Sequence, residues 1–155
     1  MIIRKANNTK SDCDIIFNLS NDPIVRANSF NQDRIEYTNH KIWFEKTISN
    51  ANTLFLLVFV DESEKEFVGQ IRFKRESEND TECIISLSIT KSFRGKHISS
   101  EFIKLGIDEL KQNWSSIKTI IAEVKDENLA SNKLFYRENF ELISKVNTYK
   151  KNIMT

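Results

Sequence analysis

Between Leu54 and Thr90 the apolar residues stop recurring every three or four positions and fall into short extended runs. Leu54-Phe55-Leu56-Leu57-Val58-Phe59-Val60 contains no polar residue. It is too short for a typical buried helix and reads as a strand covered on both faces. Val68 to Arg75 alternates, with Ile71 and Phe73 on one face and Gln70, Arg72 and Lys74 on the other. Cys83 to Thr90 alternates too, with Ile85, Leu87 and Ile89 opposite Ser86 and Ser88. Asp61 to Lys65 and Glu76 to Asp80 are turns between them. Strands joined so closely form an antiparallel meander, and the rest of the chain must pack against it.

The flanks are helical. Ile2 to Lys5 reads as a first strand. Ser11 to Asn21 carries Ile15, Ile16 and Leu19 at helical spacing and breaks at Asn21-Asp22-Pro23, with Ile24 to Ala27 as a short following helix. Thr38 is the expected N-cap of a helix through about Ser49 that turns Trp43, Phe44 and Ile48 inward. Beyond the meander, Ile98, Phe102, Leu105 and Ile103, Ile107, Leu110 recur over about four helical turns. Thr119 to Val124 is a strand, Asn128 to Glu138 a helix and Phe140 to Val146 a strand, with a final strand near Tyr149 to Met154. Strand, loop, helix and strand over residues 83–125 require a parallel pair in an otherwise antiparallel sheet. The fold class is mixed α/β (α+β), in a single domain over residues 1–155.

Composition excludes several classes of function. Charged residues are 29% of the chain but nearly cancel to +1, so no broad nucleic-acid surface is expected. No apolar run approaches the ~20 residues of a membrane span, and MIIRKANNTKSD lacks the pattern of a signal peptide. Cys13 and Cys83 stand apart without metal or redox spacing, and the two histidines give no zinc pattern. The expectation is a cytoplasmic protein with reduced thiols, no metal, no membrane and no nucleic acid; monomer and homodimer both stay open.

ITKSFRGKHISSEFIK, Ile89 to Lys104, places Arg94-Gly95-Lys96-His97 between a strand and a helix start. Unsatisfied N–H groups and the helix dipole make such a turn a site for a pyrophosphate, although an ordinary polar loop has the same look. No G-x-G-x-x-G or Gly-Lys-Ser/Thr element is present. With the later AEVKDENLAS and FYRENF, the pattern resembles the Gcn5-related N-acetyltransferase (GNAT) superfamily. That family's Gln/Arg-x-x-Gly-x-Gly/Ala loop maps onto Arg94 to Ser99, and its Asn-helix-Gly-Phe element onto Asn128, Ala130, Ser131 and Asn139-Phe140. The resemblance implies helices on both faces of a mostly antiparallel sheet with a V-shaped splay between two parallel strands. It implies acetyl-coenzyme A as donor. The pyrophosphate would rest on the N–H groups of Arg94, Gly95, Lys96, His97, Ile98, Ser99 and Ser100. The pantetheine would lie along Leu87, Ser88 and Ile89, and Asn128 and Ser131 would meet the coenzyme from the other side. His97 stands where the family has its main glycine.

The run NDPIVRANSFNQDRIEYTNHKIWFEKTI resembles the acetyltransferases of nucleotide-linked 4-amino-4,6-dideoxy sugars in pseudaminic- and legionaminic-type biosynthesis. The resemblance rests on Asn21, Val25, Arg26, Ser29, Phe30, Ile35, His40, Trp43, Phe44 and Ile71-Arg72-Phe73. Arg26 could fork onto a diphosphate, Trp43 and Phe30 offer flat faces to a sugar or base, and Ser29 and His40 could read hydroxyls. Arg72 completes the expected acceptor set. Trp43 and Phe44 at helical spacing suit a core equally well, and Arg26 could equally fasten a turn.

Amide formation needs a neutral amine, so a base is expected: His40 by its ordinary pKa, or, as the family resemblance implies, Glu82 near the start of the strand leading to the loop, although off the family's register. The family's thiolate-protonating tyrosine falls at Phe135, which has no proton to give; Tyr136 is adjacent but turned by ~100°. Other acceptors, a polyamine or a protein N-terminal amine, remain open, as does a coenzyme-A-binding module without catalysis.

Overall fold

The computed structural model describes residues 1–144 and 148–153. In chain order the elements are β1 (Ile2–Lys5), α1 (Lys10–Ser20), α2 (Pro23–Ala27), α3 (Tyr37–Ser49), β2 (Thr53–Phe59), β3 (Phe67–Lys74) and β4 (Glu82–Ile89). A short 3-10 turn at Lys91–Phe93 follows, then α4 (Ser99–Asn113), β5 (Thr119–Glu123), α5 (Leu129–Arg137), β6 (Glu141–Ser144) and β7 (Thr148–Asn152). The meander strands, β2 to β4, each begin one residue before the position read from the sequence. The last expected strands reach Val146 and Met154, both outside the described residues.

One seven-stranded sheet runs in the order β1-β2-β3-β4-β5-β7-β6. Every pairing is antiparallel except β4 with β5, the parallel pair the connectivity required. Two apolar layers cover it. On one face α4 and α5 bring Phe102, Ile103, Leu110, Leu134 and Phe135 onto Ile71, Phe73 and Ile85. On the other, α1 and α3 bring Cys13, Ile16 and Phe44 onto Phe55, Leu57 and Phe59. The continuous run of β2 is therefore buried on both faces, as its sequence demands.

Two expectations for α3 need correction. The helix starts at Tyr37 and its cap position is Glu36, whose side chain makes no capping hydrogen bond, so Thr38 is inside the helix. Trp43 is 37% exposed and meets the sheet only edge-on at Phe55, while Phe44 is buried, because successive helical residues point about 100° apart.

α1 is fastened to β1 by charge. Arg4 donates from Nη1 and Nη2 to Asp12 at 2.8 and 2.9 Å, and from Nε to Glu64 at 2.9 Å. Asp12 also accepts from the Asn7 N–H, so its buried carboxylate is fully engaged.

Candidate active site

The strand pair β4–β5 sets the site. Pairing runs from Glu82 opposite Thr119 to Ile85 opposite Ala122 and then ends, although β4 continues to Ile89. From Ser86 to Ile89 the strand pairs with β3 alone. Its other edge opens on a wedge, and unpaired strand edges are templates for amide groups. Into this wedge opens a cleft of about 510 Å³, lined by residues of α1, α2, β3, β4, β5 and α5.

At the end of β4 the chain turns through two left-handed residues, Gly95 at φ 72° and His97 at φ 60°. Gly95 adopts this conformation freely. His97 adopts it against its Cβ, at the position where the family carries glycine. The turn leads into α4, whose first turn receives no side-chain cap, so its N–H groups and dipole face outward. The open β4 edge, left-handed turn and uncapped helix fit a ligand with successive amides and a pyrophosphate. The Arg94 side chain is not aimed there: Nε donates to the Ile89 carbonyl at 2.9 Å, and Nη2 lies 3.1 Å from Asp22 Oδ1. Asp22 also accepts from the Ile24 and Val25 N–H groups. Thus Arg94 ties the turn after β4 to the N-terminus of α2.

On the α1/α3 side of the sheet, cross-strand register pairs Gln70 with Ser88 and Arg72 with Ser86. All four line the cleft. Arg72 is half-buried; its guanidinium lies 4.8 Å from the Trp43 ring centre and 5.5 Å from that of Phe55, and Nη2 is 3.3 Å from Ser86 Oγ. Burial pushes this guanidinium down to about 10, still a cation at neutral pH. No carboxylate forms an ion pair with it among the described residues. Of the five buried side-chain atoms without a hydrogen-bond partner among the described residues, four belong to cleft-lining side chains: Gln70 Oε1, Arg72 Nε, and Arg94 Nη1 and Nη2, the last lacking hydrogen-bond geometry despite its ion pair with Asp22; the fifth is Glu138 Oε1, outside the cleft. Buried polar atoms are normally satisfied, so their gathering marks a place built for a polar ligand.

The expected site residues divide. Leu87, Ser88, Ile89, Arg94, Gly95, Ser99, Asn128 and Ser131 line the cleft, and so do Arg26, Ser29, Phe30 and Arg72. Lys96 and His97 are exposed on the turn, with Ile98 and Ser100 beside them at the start of α4. Asn128 accepts from the Ser131 N–H at 3.2 Å as the cap of α5. Arg26 is a fastener rather than a free fork: it donates to the carbonyls of Ser20, Asn31 and Asp33 and to Ser29 Oγ.

The expected acid–base groups stand elsewhere. His40 is 2% exposed, its Nε2 donating to the Cys13 carbonyl at 2.9 Å among the rings of Phe17, Tyr37, Trp43 and Phe44. Burial lowers its basicity, and it does not reach the cleft. Glu82 sits at the closed end of the β4–β5 pair, about 16 Å of strand from Leu87. Tyr136 is 77% exposed, while Phe135 packs on Phe140 and Tyr149. Cys83 is buried and its thiol pushed up to about 12, a core group and no acyl carrier. Sequence reasoning missed Gln70, Ser86 and Glu123. Glu123 is the one carboxylate among the cleft-lining residues, and continuing the β4–β5 register sets it opposite Ser86. Among the described residues no group of His, Cys, Asp and Glu is gathered to hold a metal, and no helix is long and apolar enough to cross a membrane.

Residues 1–141 match the family described as Acetyltransferase (GNAT) domain. The chain belongs to the GNAT acetyltransferase family, and its reaction class is transfer of an acetyl group from acetyl-CoA to an amine. No curated protein matches it. Among solved structures it is similar to a spermidine N-acetyltransferase from Vibrio cholerae in complex with CoA and spermine, at 16% identity and TM-score 0.78, covering 97% of this chain and 91% of that one. It is similar to yncA, a putative acetyltransferase from Salmonella typhimurium with its cofactor acetyl-CoA, at 18% identity and TM-score 0.75, covering 100% and 95%. A ribosomal L7/L12 alpha-N-protein acetyltransferase shares the fold at 18% identity and TM-score 0.80, covering 97% and 89%.

Proposed function

We propose that this enzyme acetylates the primary amine of a small anionic acceptor, and specifically a nucleotide-linked amino sugar of the UDP-4-amino-4,6-dideoxy type. The observation that carries this reading is Arg72, a half-buried cation on the acceptor side of the cleft that no carboxylate among the described residues neutralises. A buried charge without a partner is unfavourable, and a phosphate of the acceptor supplies the partner. The rest of the lining agrees. Arg26, Arg72, Lys125 and Arg137 line the cleft with one carboxylate among its described residues, Glu123, while the charge of Arg94 is met by Asp22. A polyamine needs the opposite balance. Exposed Ile24 and Phe30 at the rim offer apolar surface to a sugar ring or a base.

Bound acetyl-CoA supplies an activated acetyl group. The open edge of β4 from Ser86 to Ile89 pairs with its amides, and the turn at Gly95 and His97 with the first turn of α4 holds its diphosphate. Arg72 grips the acceptor's phosphate and so aims the amine at the wedge. Glu123, on the acceptor side opposite Ser86, takes the proton the amine gives up. Orientation of two bound substrates supplies most of the rate.

The test is thiol release from acetyl-CoA with the UDP-linked 4-amino sugar, spermidine and a short peptide as acceptors. The nucleotide sugar should have the highest kcat/KM. Arg72→Met should raise its KM about 10- to 100-fold, the equivalent of ~1.5–3 kcal/mol for a charge-assisted hydrogen bond, and leave the acetyl-CoA KM within about two-fold. Preference for spermidine, or equal damage to both KM values, overturns the reading.

A further inference from the structure

We propose that Gln70 is the residue that receives the acceptor's amine, accepting one of its N–H bonds on Oε1. The inference rests on the acetyltransferase reading of the cleft and adds a residue to it. Gln70 is 6% exposed and lines the cleft wall, yet its Oε1 has no hydrogen-bond partner among the described residues. The amide is held at its other end, where Nε2 lies 3.3 Å from Ser88 Oγ. The strand beneath is held close as well: a Cβ on the preceding Gly69 would come within 2.3 Å of the Ser88 carbonyl oxygen.

Position separates this group from the donor. The unpaired edge of β4 faces β5, whereas β3 lies on the opposite side of β4. Side chains of β3 on this face therefore meet the acceptor. Gln70 and Arg72 are two residues apart on one strand face, about 7 Å along it. An uncharged acceptor thus stands next to an unneutralised cation, the pairing that an amine with a nearby anion requires.

The chemistry favours an amide here. The attacking nitrogen must aim its lone pair at the thioester carbon, and its N–H bonds then need acceptors. Ser86 and Ser88 oxygens already lie against Arg72 and Gln70, and the other long polar side chains of the wall are mostly cationic donors. A carboxylate at position 70 would stabilise the ammonium and withhold the lone pair, whereas an amide oxygen orients the amine without raising its basicity. In the transfer a C–N bond forms, the C–S bond breaks, the proton lost by nitrogen passes to Glu123, and solvent returns one to the leaving sulfur.

The experiment uses the full chain, acetyl-CoA, and whichever of the UDP-linked 4-amino sugar, spermidine or peptide the wild type acetylates fastest. Gln70→Met should lower kcat/KM for that amine 10- to 100-fold, while the acetyl-CoA KM and the slow hydrolysis of acetyl-CoA by water stay within about two-fold. Gln70→Glu should retain more activity than Gln70→Met and move the rise of rate with pH upward by at least about half a unit. Amine turnover by Gln70→Met within two-fold of wild type, an equal loss of water hydrolysis, or an unmoved pH profile in Gln70→Glu overturns the proposal. Spermidine as the preferred amine, with Gln70→Met still impaired, removes the anionic acceptor and supports the role of Gln70. No turnover of any of the three amines by the wild type overturns both.

Discussion

Replacing His97 by glycine should stabilise the enzyme. His97 holds φ 60° in the turn before α4 and its side chain is exposed, so little packing is lost when the ring is removed. A left-handed L-residue is unfavourable by about 1–2 kcal/mol, and glycine gives back about 0.5–1 kcal/mol through its greater freedom in the unfolded chain. The net gain is about 0.5–1 kcal/mol. For a chain of this size that is about 1–4 °C in Tm. His97→Ala keeps the Cβ and should gain nothing, which isolates the backbone as the cause. Thermal melts followed by circular dichroism, with both variants beside the wild type, provide the measurement. If His97→Gly melts at or below the wild type while His97→Ala matches it, the left-handed backbone carries no strain that glycine relieves and the argument fails; if both variants melt below the wild type, the imidazole holds the turn. Titration with acetyl-CoA adds a functional readout: relief of the Cβ should leave donor affinity equal or tighter.

Three further outcomes follow from side chains described above. Arg26→Ala removes the donors to Ser20, Ser29, Asn31 and Asp33, so the acceptor KM should rise about ten-fold through a loosened loop while the acetyl-CoA KM stays within about two-fold; equal changes would refute this. Burial alone would raise the Asp12 carboxyl, but Arg4 and the Asn7 N–H outweigh burial and hold it below the ordinary carboxylate value. Its folded pKa is thus depressed, and its stabilisation is present above the unfolded value near 4 and lost as pH falls through the folded one. Asp12→Asn should therefore be destabilised by about 2 kcal/mol at pH 6, and its Tm gap to the wild type should narrow toward pH 3. Burial raises both cysteine thiols, Cys83 to about 12, so a disulfide reagent should label neither in the folded enzyme and both in guanidinium.

The fold was largely legible because its strongest signals are local. The unbroken run of β2 and the alternation of β3 and β4 locate the meander to within a residue, and strand-loop-helix-strand connectivity forces the parallel pair. The site was legible only where it is made of backbone. The turn at Gly95 follows from strand-loop-helix order and turn chemistry, and the wedge, expected at Leu87 to Ile89 from the family resemblance, opens from Ser86 onward. Side-chain roles depend on contacts distant in sequence. His40 looks like a base until α1 supplies the Cys13 carbonyl as its partner. Arg26 looks like a phosphate fork until the carbonyls of the following loop converge on it. Gln70 looks like part of a solvated strand face and Arg72 stands out from it only through the family resemblance; the layer formed by α1 to α3 turns that face into a cleft wall, which no period-two pattern can reveal.

Arg26 gathers carbonyls from both sides of the segment it spans and Asn21 holds the Ile35 backbone through both ends of its amide, so the stretch around Phe30 hangs from two polar side chains like a cassette on two pins. The residues displayed there contribute to neither apolar layer of the sheet. Residues 28–36 can therefore change without disturbing either apolar layer, and if the acceptor binds beside Phe30 as proposed, substitutions there should alter the choice of amine while the acetyl-CoA KM stays as it is, provided the pins are kept.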